Sequence, residues 1–126
     1  MKLGINEMAK AAFKTAKSKG FHPKKDKMPG VERILARLAL IHSEVSEALE
    51  DVRKGAMEEK EKEGTKILGN EIGIGIGKPI GFPSELADIV IRVGDLAAET
   101  GADLEGAIRR KMAYNKTRGW KHFKKI

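Results

Sequence analysis

The sequence contains no cysteine, and only three of its 126 residues are histidine. Disulfide bonds and thiolate-bound metals are therefore excluded, and so few imidazoles argue against a zinc site. Any metal bound by this chain must rely on oxygen ligands, which Mg²⁺ and Mn²⁺ prefer. The scarcity of soft ligands thus narrows the candidate cofactors to hard divalent cations.

Long apolar runs are also missing. No stretch approaches the roughly 18 uncharged apolar residues of a membrane-spanning helix, so no membrane partner is expected. The opening segment MKLGINEMAK lacks the apolar run of a secretion signal, which predicts a cytoplasmic location. Hydrophobic residues still make up 40% of the chain. This content and length predict a single folded domain over residues 1–126.

The net charge of +7 is unevenly distributed along the chain. Residues 1–30 carry a balance of +6 and residues 106–126 a balance of +8, whereas residues 31–105 carry −7. An acidic middle between basic ends suits a metal-dependent site for a polyanion. It suits a nucleic-acid-binding protein with an acidic spacer equally well.

Apolar residues recur at helical spacing in four segments, which predict four helices and an all-α four-helix bundle. The predicted helices run from about Asn6 to Ser18, Val31 to Lys54, Ser84 to Thr100 and Leu104 to Thr117. The predicted N-caps are Asn6, Ser84 and Asp103. The second helix carries the longest apolar stripe, formed by Ile34, Leu38, Ile41, Val45, Ala48, Leu49 and Val52. This spacing is typical of a helix face turned towards a core.

An insert at residues 55–83 interrupts the helical pattern. Its charged run AMEEKEKEG predicts a solvated helical turn or loop, and NEIGIGIGKPIGFP predicts a short extended arm or hairpin. The glycines do not form a phosphate-binding loop. That loop needs glycine where Ile72 stands and serine or threonine where Pro79 stands.

Two of the predicted helices carry an acidic pair at the border of the apolar face: Glu44 with Glu47, and Glu85 with Asp88. Residues at i and i+3 share one helical face. If these helices lie side by side, four carboxylates converge, and a divalent cation would relieve their repulsion. Each pair alone is more typical of a solvated surface, so the residues by themselves leave both interpretations open.

Three further predictions concern polar residues outside these pairs. Lys111, Asn115 and Arg118 are spaced to line one face of the fourth helix, where two cations and an amide suit a triphosphate or a sugar edge. Arg92 is predicted to pair with an acid on its own helix, either Asp88 or Asp95. His22 follows the first helix and is predicted to be solvated.

Three blocks occur in order along the chain: IHSEVSEALEDVRKG, GFPSELADIVIRVGDLA and DLEGAIRRKMAYNKTR. Together they resemble the MazG-like branch of the all-α nucleoside triphosphate pyrophosphohydrolases. The signature of that superfamily, E-x-x-E on one helix and E-x-x-D on the next, is matched by the two acidic pairs. Its late Lys-x-x-x-Asn-x-x-Arg pattern is matched from Lys111 to Arg118. The resemblance covers about residues 31–118, and the insert 55–83 is longer than the family's usual connection.

The resemblance implies a helical bundle that forms a homodimer or a dimer of dimers. It implies hydrolysis of ribo- or deoxyribonucleoside triphosphates to monophosphate and pyrophosphate, as nucleotide-pool housekeeping. Mg²⁺, for which Mn²⁺ can substitute, would be bound by Glu44, Glu47, Glu85 and Asp88. Either Glu44 or Glu47 would orient the attacking water. Lys111, Asn115 and Arg118 would hold phosphate and sugar.

Three alternatives remain at this stage. A nucleic-acid-binding helical protein would use the basic termini, including the tail 119–126, but it leaves the two acidic pairs unexplained. A phosphoribosyl-ATP pyrophosphohydrolase would belong to the same superfamily, although the three blocks are closer to the MazG-like branch. An interaction module that has lost activity would retain the fold, and the four intact acids speak against it.

Overall fold

The computed structural model of the protein describes residues 3–23, 30–65 and 77–119. The elements there are α1 (Ile5–Ser18), α2 (Gly30–Arg53), β1 (Lys60–Glu61), β2 (Pro79–Ile80), α3 (Phe82–Thr100) and α4 (Leu104–Thr117). The predicted all-α class is confirmed, and each helix agrees with its predicted bounds to within two residues. Of the helices in these ranges, not one combines the length and apolar character needed to cross a membrane.

The chain divides into two compact units, one formed by Met1–His22 with Gly94–Ile126 and the other by Pro23–Val93. The division falls within α3. The predicted single domain over residues 1–126 and the four-helix-bundle arrangement therefore stay predictions.

In the first unit, Asn6 ties the start of α1 to the start of α4. Its amide nitrogen donates to Asp103 Oδ1 at 2.9 Å, and its amide oxygen accepts from the Glu105 backbone N–H at 3.0 Å. The predicted capping of α1 by Asn6 is wrong, because the helix begins at Ile5 and the amide is used between helices. Asp103 does cap α4, accepting from the Gly106 N–H at 3.0 Å. The Asn6 and Gly106 bonds hold the pKa of Asp103 below its usual value.

Small residues bring α1 and the end of α3 together in the same unit. Ala9 and Ala97 are among its few buried apolar residues, at 4% and 7% exposure. A Cβ on Gly94 would lie only 2.8 Å from the sulfur of Met8. The absence of a side chain at Gly94 therefore permits this close approach.

His22 is held between two carboxylates of α3. Its Nε2 lies 2.7 Å from Asp95 Oδ1 and its Nδ1 lies 2.8 Å from Glu99 Oε2, with only 7% of the side chain exposed. The Phe13 ring packs against the imidazole at a centroid distance of 4.6 Å. Each ring nitrogen of His22 thus has a carboxylate partner on α3. The prediction that His22 is solvated was therefore wrong.

Replacing His22 by alanine is expected to lower the free energy of unfolding by about 1–3 kcal/mol, because two partly buried carboxylates lose their donor. Urea unfolding at a fixed pH measures this loss. The same substitution in an Asp95→Asn, Glu99→Gln background is the control, and it should cost much less. An equal loss in both backgrounds would show that the imidazole stabilises the fold by packing alone.

In the second unit, a short antiparallel ladder joins β1 and β2, with Lys60 opposite Ile80. The charged run predicted as a helical turn or loop thus contributes a strand. The Ser84 hydroxyl donates to the Pro79 carbonyl oxygen at 3.0 Å. Its predicted role as the N-cap of α3 was therefore wrong, since the helix begins at Phe82. The predicted extended arm or hairpin covers residues 70–83. Its first half, residues 70–76, lies outside the described residues, and its second half contains β2, which is extended as predicted.

The segment that follows α2 is bonded to the first residue of α3. The Phe82 backbone N–H donates to the Ala56 carbonyl oxygen at 2.9 Å. Gly81 adopts a φ of 110°, and a Cβ there would collide with the backbone carbonyl of Glu58. This tight junction therefore requires glycine at residue 81.

The apolar stripe of α2 is half-exposed in the described part of the chain. Ala48 is buried at 6% exposure. The five large members of the stripe that remain exposed, at 37–55%, are Ile34, Leu38, Val45, Leu49 and Val52. The sequence pattern predicted the apolar face correctly but not its burial.

Candidate metal centre

Glu44, Glu85 and Asp88 each bring one carboxylate oxygen to within 4.8 Å of the others. Glu44 comes from the middle of α2, and the other two come from the first two turns of α3. The i, i+3 spacing on α3 turns both of its acids to the same side. The structure therefore brings together three of the four acids predicted to bind a metal, a grouping that could hold a metal ion.

Glu47, the fourth predicted acid, lies at the margin of this group. Its side chain is exposed, and it is not one of the three converging carboxylates. Its carboxyl group is nevertheless close enough to Glu85 that, after burial, its negative charge raises the pKa of Glu85. Asp51, one turn further along α2, acts on Glu85 in the same way. Acids of two helices thus surround Glu85.

The pKa values show that this cluster carries excess negative charge. Burial, followed by the charges of Glu47, Asp51 and Asp88, raises the pKa of Glu85 above 4.5. Loss of hydration, followed by the charge of Glu44, raises the pKa of Asp88 above 3.8 despite two opposing cations. The cations nearby therefore do not neutralise the cluster.

Two carboxylate oxygens at the cluster are buried and have no hydrogen-bond partner within the described residues: Asp51 Oδ2 and Glu85 Oε2. A buried acceptor without a partner costs about 1–3 kcal/mol. A cation coordinated by these oxygens would remove that cost. The donor set consists of carboxylates alone, which is the chemistry that Mg²⁺ and Mn²⁺ prefer. The residues present therefore fit the predicted cation.

Arg92 reaches from α3 to α2, where its Nε–H donates to Glu44 Oε1 at 2.6 Å. The predicted ion pair of Arg92 with Asp88 or Asp95 is replaced by this bond to Glu44, although the charge of Arg92 also acts on Asp88. The Glu44 side chain is only 11% exposed, so its charge gains more from a charge-assisted bond than a hydrated carboxylate would. Arg92 also lowers the pKa of Asp88 without overcoming the opposing effects.

The predicted substrate-binding residues lie in the other compact unit. Lys111 and Asn115 are exposed on α4. Arg118 follows the end of the helix with extended backbone, at φ −79° and ψ 151°, so the predicted helical face does not continue to it. Its guanidinium carbon lies 5.6 Å from the centroid of the Tyr114 ring.

A comparison of this chain with known protein families, with curated proteins and with solved structures finds no match. The resemblance to the MazG-like branch therefore rests on the three sequence blocks. The convergence of Glu44, Glu85 and Asp88 is an observation independent of that resemblance.

The raised pKa values predict that the metal-free protein becomes more stable on mild acidification. The folded-state pKa values of Glu85 and Asp88 lie above their ordinary values of 4.5 and 3.8. The folded state therefore binds more protons in this window, and the free energy of unfolding rises as the pH falls from neutral towards 4.5. Urea unfolding in chelator, at about pH 7.5 and about pH 5, measures the effect.

Glu85→Gln is the control for this pH dependence, because it removes the titrating carboxyl group of residue 85 and leaves the other titrating groups in place. The wild-type protein should gain more stability than the variant. The pKa of Asp103 is lowered, so this group reduces the free energy of unfolding as the pH falls. That effect belongs to pH values below 3.8, outside the window. An equal gain in both proteins would contradict the raised pKa of Glu85.

Proposed function

We propose that the protein is a Mg²⁺-dependent nucleoside triphosphate pyrophosphohydrolase of the MazG-like type. It would hydrolyse the anhydride between the α- and β-phosphates and release a nucleoside monophosphate and pyrophosphate. The observation that carries the proposal is the convergence of Glu44, Glu85 and Asp88 beside two buried oxygens that have no partner in the described part of the chain. The three sequence blocks supply the reaction type.

The carboxylates have separable roles in this proposal. Glu44, Glu85 and Asp88 hold the cation, and Glu47, which the resemblance assigns as a fourth ligand, orients the water instead. Mg²⁺ bound by these residues would neutralise charge on phosphate oxygens and activate a water molecule. Glu47 is exposed and lies outside the group of three, whereas Glu44 is buried within it. Of the two acids considered for orienting the water, Glu47 is therefore better placed to accept its proton.

Lys111, Asn115 and Arg118 hold phosphate and sugar in the same proposal. Replacing Lys111 or Arg118 by glutamine should raise KM about tenfold with little change in kcat, because each loses a charge-assisted contact to substrate. Lys116→Gln, which removes an exposed positive charge from the same helix, is the control. Initial-rate kinetics separate the two parameters, and equal effects of all three substitutions would indicate general charge attraction only.

The partner in this proposal is a second copy of the chain. The half-exposed stripe of α2 is a continuous apolar surface on one helix face, and a homodimer would cover the same surface on both copies. The resemblance implies this oligomeric state, and the exposure of the stripe supports it.

Pyrophosphate release from a panel of ribo- and deoxyribonucleoside triphosphates tests the proposal. The assay is run with Mg²⁺, with Mn²⁺ and with chelator, with phosphoribosyl-ATP in the panel and Glu47→Gln alongside. Metal-dependent release of pyrophosphate and monophosphate, lost in the variant, is the expected result. Orthophosphate as the product would overturn the cleavage position. No turnover of any substrate would overturn the enzyme proposal and direct attention to nucleic-acid binding.

A further inference from the structure

Arg92 interacts with two of the three converging acids. Its Nε–H donates to Glu44 Oε1 at 2.6 Å, and its charge lowers the pKa of Asp88, which lies one turn earlier on the same helix. A guanidinium is thus built into the edge of the carboxylate cluster. The proposed function gives this contact no role.

The two partners differ in exposure. The Glu44 side chain is 11% exposed and the Arg92 side chain is 40% exposed. A buried ionised carboxylate requires a counter-charge, whereas a half-exposed arginine can return to water. Arg92 can therefore return to water, whereas Glu44 needs another cation in place of its only described cationic partner.

Arg92 does not satisfy the cluster as a whole. Glu85 Oε2 and Asp51 Oδ2 remain buried without a hydrogen-bond partner in the described ranges, and the pKa of Glu85 remains raised. One positive charge at Glu44 thus offsets part of the repulsion and leaves the rest. A divalent cation would carry more charge and accept several carboxylate oxygens at once.

We propose that Arg92 is the resident counter-cation of the acid cluster and competes with the divalent cation for Glu44. The inference rests on the proposed metal site. In the metal-free protein, Arg92 holds the Glu44 carboxylate. When the cation binds, the guanidinium is displaced towards solvent, because like charges a few ångströms apart repel strongly in a partly buried site. Arg92 thereby sets the cation concentration at which the site fills.

Titration with Mn²⁺ tests this inference. Isothermal titration calorimetry measures the heat of binding, and electron paramagnetic resonance measures the concentration of free Mn²⁺. Arg92→Gln should bind Mn²⁺ at least about tenfold more tightly than the wild-type protein, since the competing charge is gone. Arg92→Lys keeps the charge but lacks the Nε–H, and it should tighten binding by a smaller factor. In chelator, the unfolding temperature of Arg92→Gln should be lower than that of the wild-type protein. Addition of Mn²⁺ should raise the unfolding temperature of the variant by more than that of the wild-type protein.

Lys78→Gln is the matched control. Lys78 also lowers the pKa of Asp88, so its removal changes the local charge by the same amount, but it makes no described bond to Glu44. Binding that tightens equally in Lys78→Gln and Arg92→Gln would overturn direct competition. Binding that is unchanged or weaker in Arg92→Gln would show that Arg92 orients Glu44 instead, and it would leave the metal site standing. If neither the wild-type protein nor any variant binds Mn²⁺, the metal site itself fails, and the inference fails with it.

Discussion

Replacing Glu85 by glutamine is expected to abolish metal-dependent pyrophosphate release, lowering kcat/KM by at least about 10³-fold. Glu85 is surrounded by other acids, and its Oε2 is buried without a partner in the described part of the chain. A glutamine at this position keeps the size of the side chain and removes the negative charge that the cation requires. The loss should appear in kcat as well as in KM, because the cation acts on the reacting phosphate.

The stability of the same variant separates lost chemistry from lost folding. Glutamine at residue 85 removes a charge that is disfavoured first by burial and then by neighbouring acids, the causes that raise the pKa of the wild-type carboxyl. In chelator at neutral pH, the variant should therefore be at least as stable as the wild-type protein. Glu32→Gln, at an exposed position in the first turn of α2 and far along the helix from Glu44, should retain full activity. Turnover within about threefold of wild type in Glu85→Gln would contradict the assigned role.

Replacing Val45 by glutamate is expected to convert a homo-oligomer into monomers. Val45 is 50% exposed and lies in the middle of the α2 stripe. If a second copy covers this stripe, the substitution buries an unpaired charge in an apolar interface, which should weaken association by at least about 10³-fold. Analytical ultracentrifugation at several concentrations measures the change in mass.

Ser46→Glu is the control for this prediction, because it adds the same charge to the next residue, which points away from the stripe. It should leave the mass unchanged. A wild-type protein that is monomeric at every concentration would contradict the proposed partner. So would an oligomer that tolerates Val45→Glu.

The helices were predictable because each carries a regular apolar pattern over at least three turns. Caps were less predictable, since the same side chain can serve a helix end or a tertiary contact. Asp103 caps α4, but the Asn6 amide bridges α1 and α4, and the Ser84 hydroxyl bonds Pro79. Sequence spacing does not distinguish these uses, because tertiary partners compete with the helix end for the same polar group.

Contacts between residues distant in sequence were the least predictable. His22 pairs with acids 73 and 77 residues away, and Arg92 pairs with Glu44 at a separation of 48 residues. A local pattern favours partners three or four residues apart, which is why Arg92 was assigned to its own helix. The half-exposed stripe of α2 has a related cause. Periodicity predicts which face is apolar, but not what covers it.

The candidate site was predictable in part. Helical spacing alone placed each acidic pair on one face, and resemblance to a known family joined the two pairs. The structure brings Glu44, Glu85 and Asp88 together and leaves Glu47 at their margin. The orphaned oxygen of Asp51 could not be predicted, because its burial depends on the approach of a second helix.

The most direct test of the metal centre is an anomalous difference map from a crystal of the wild-type protein soaked in Mn²⁺. The account predicts one strong peak among Glu44, Glu85 and Asp88, at about 2.0–2.3 Å from an oxygen of each. Crystals of Glu85→Gln soaked in Mn²⁺ in the same way should lack the peak. A map with no peak at these carboxylates, or with the peak at another acidic group only, would contradict the central claim.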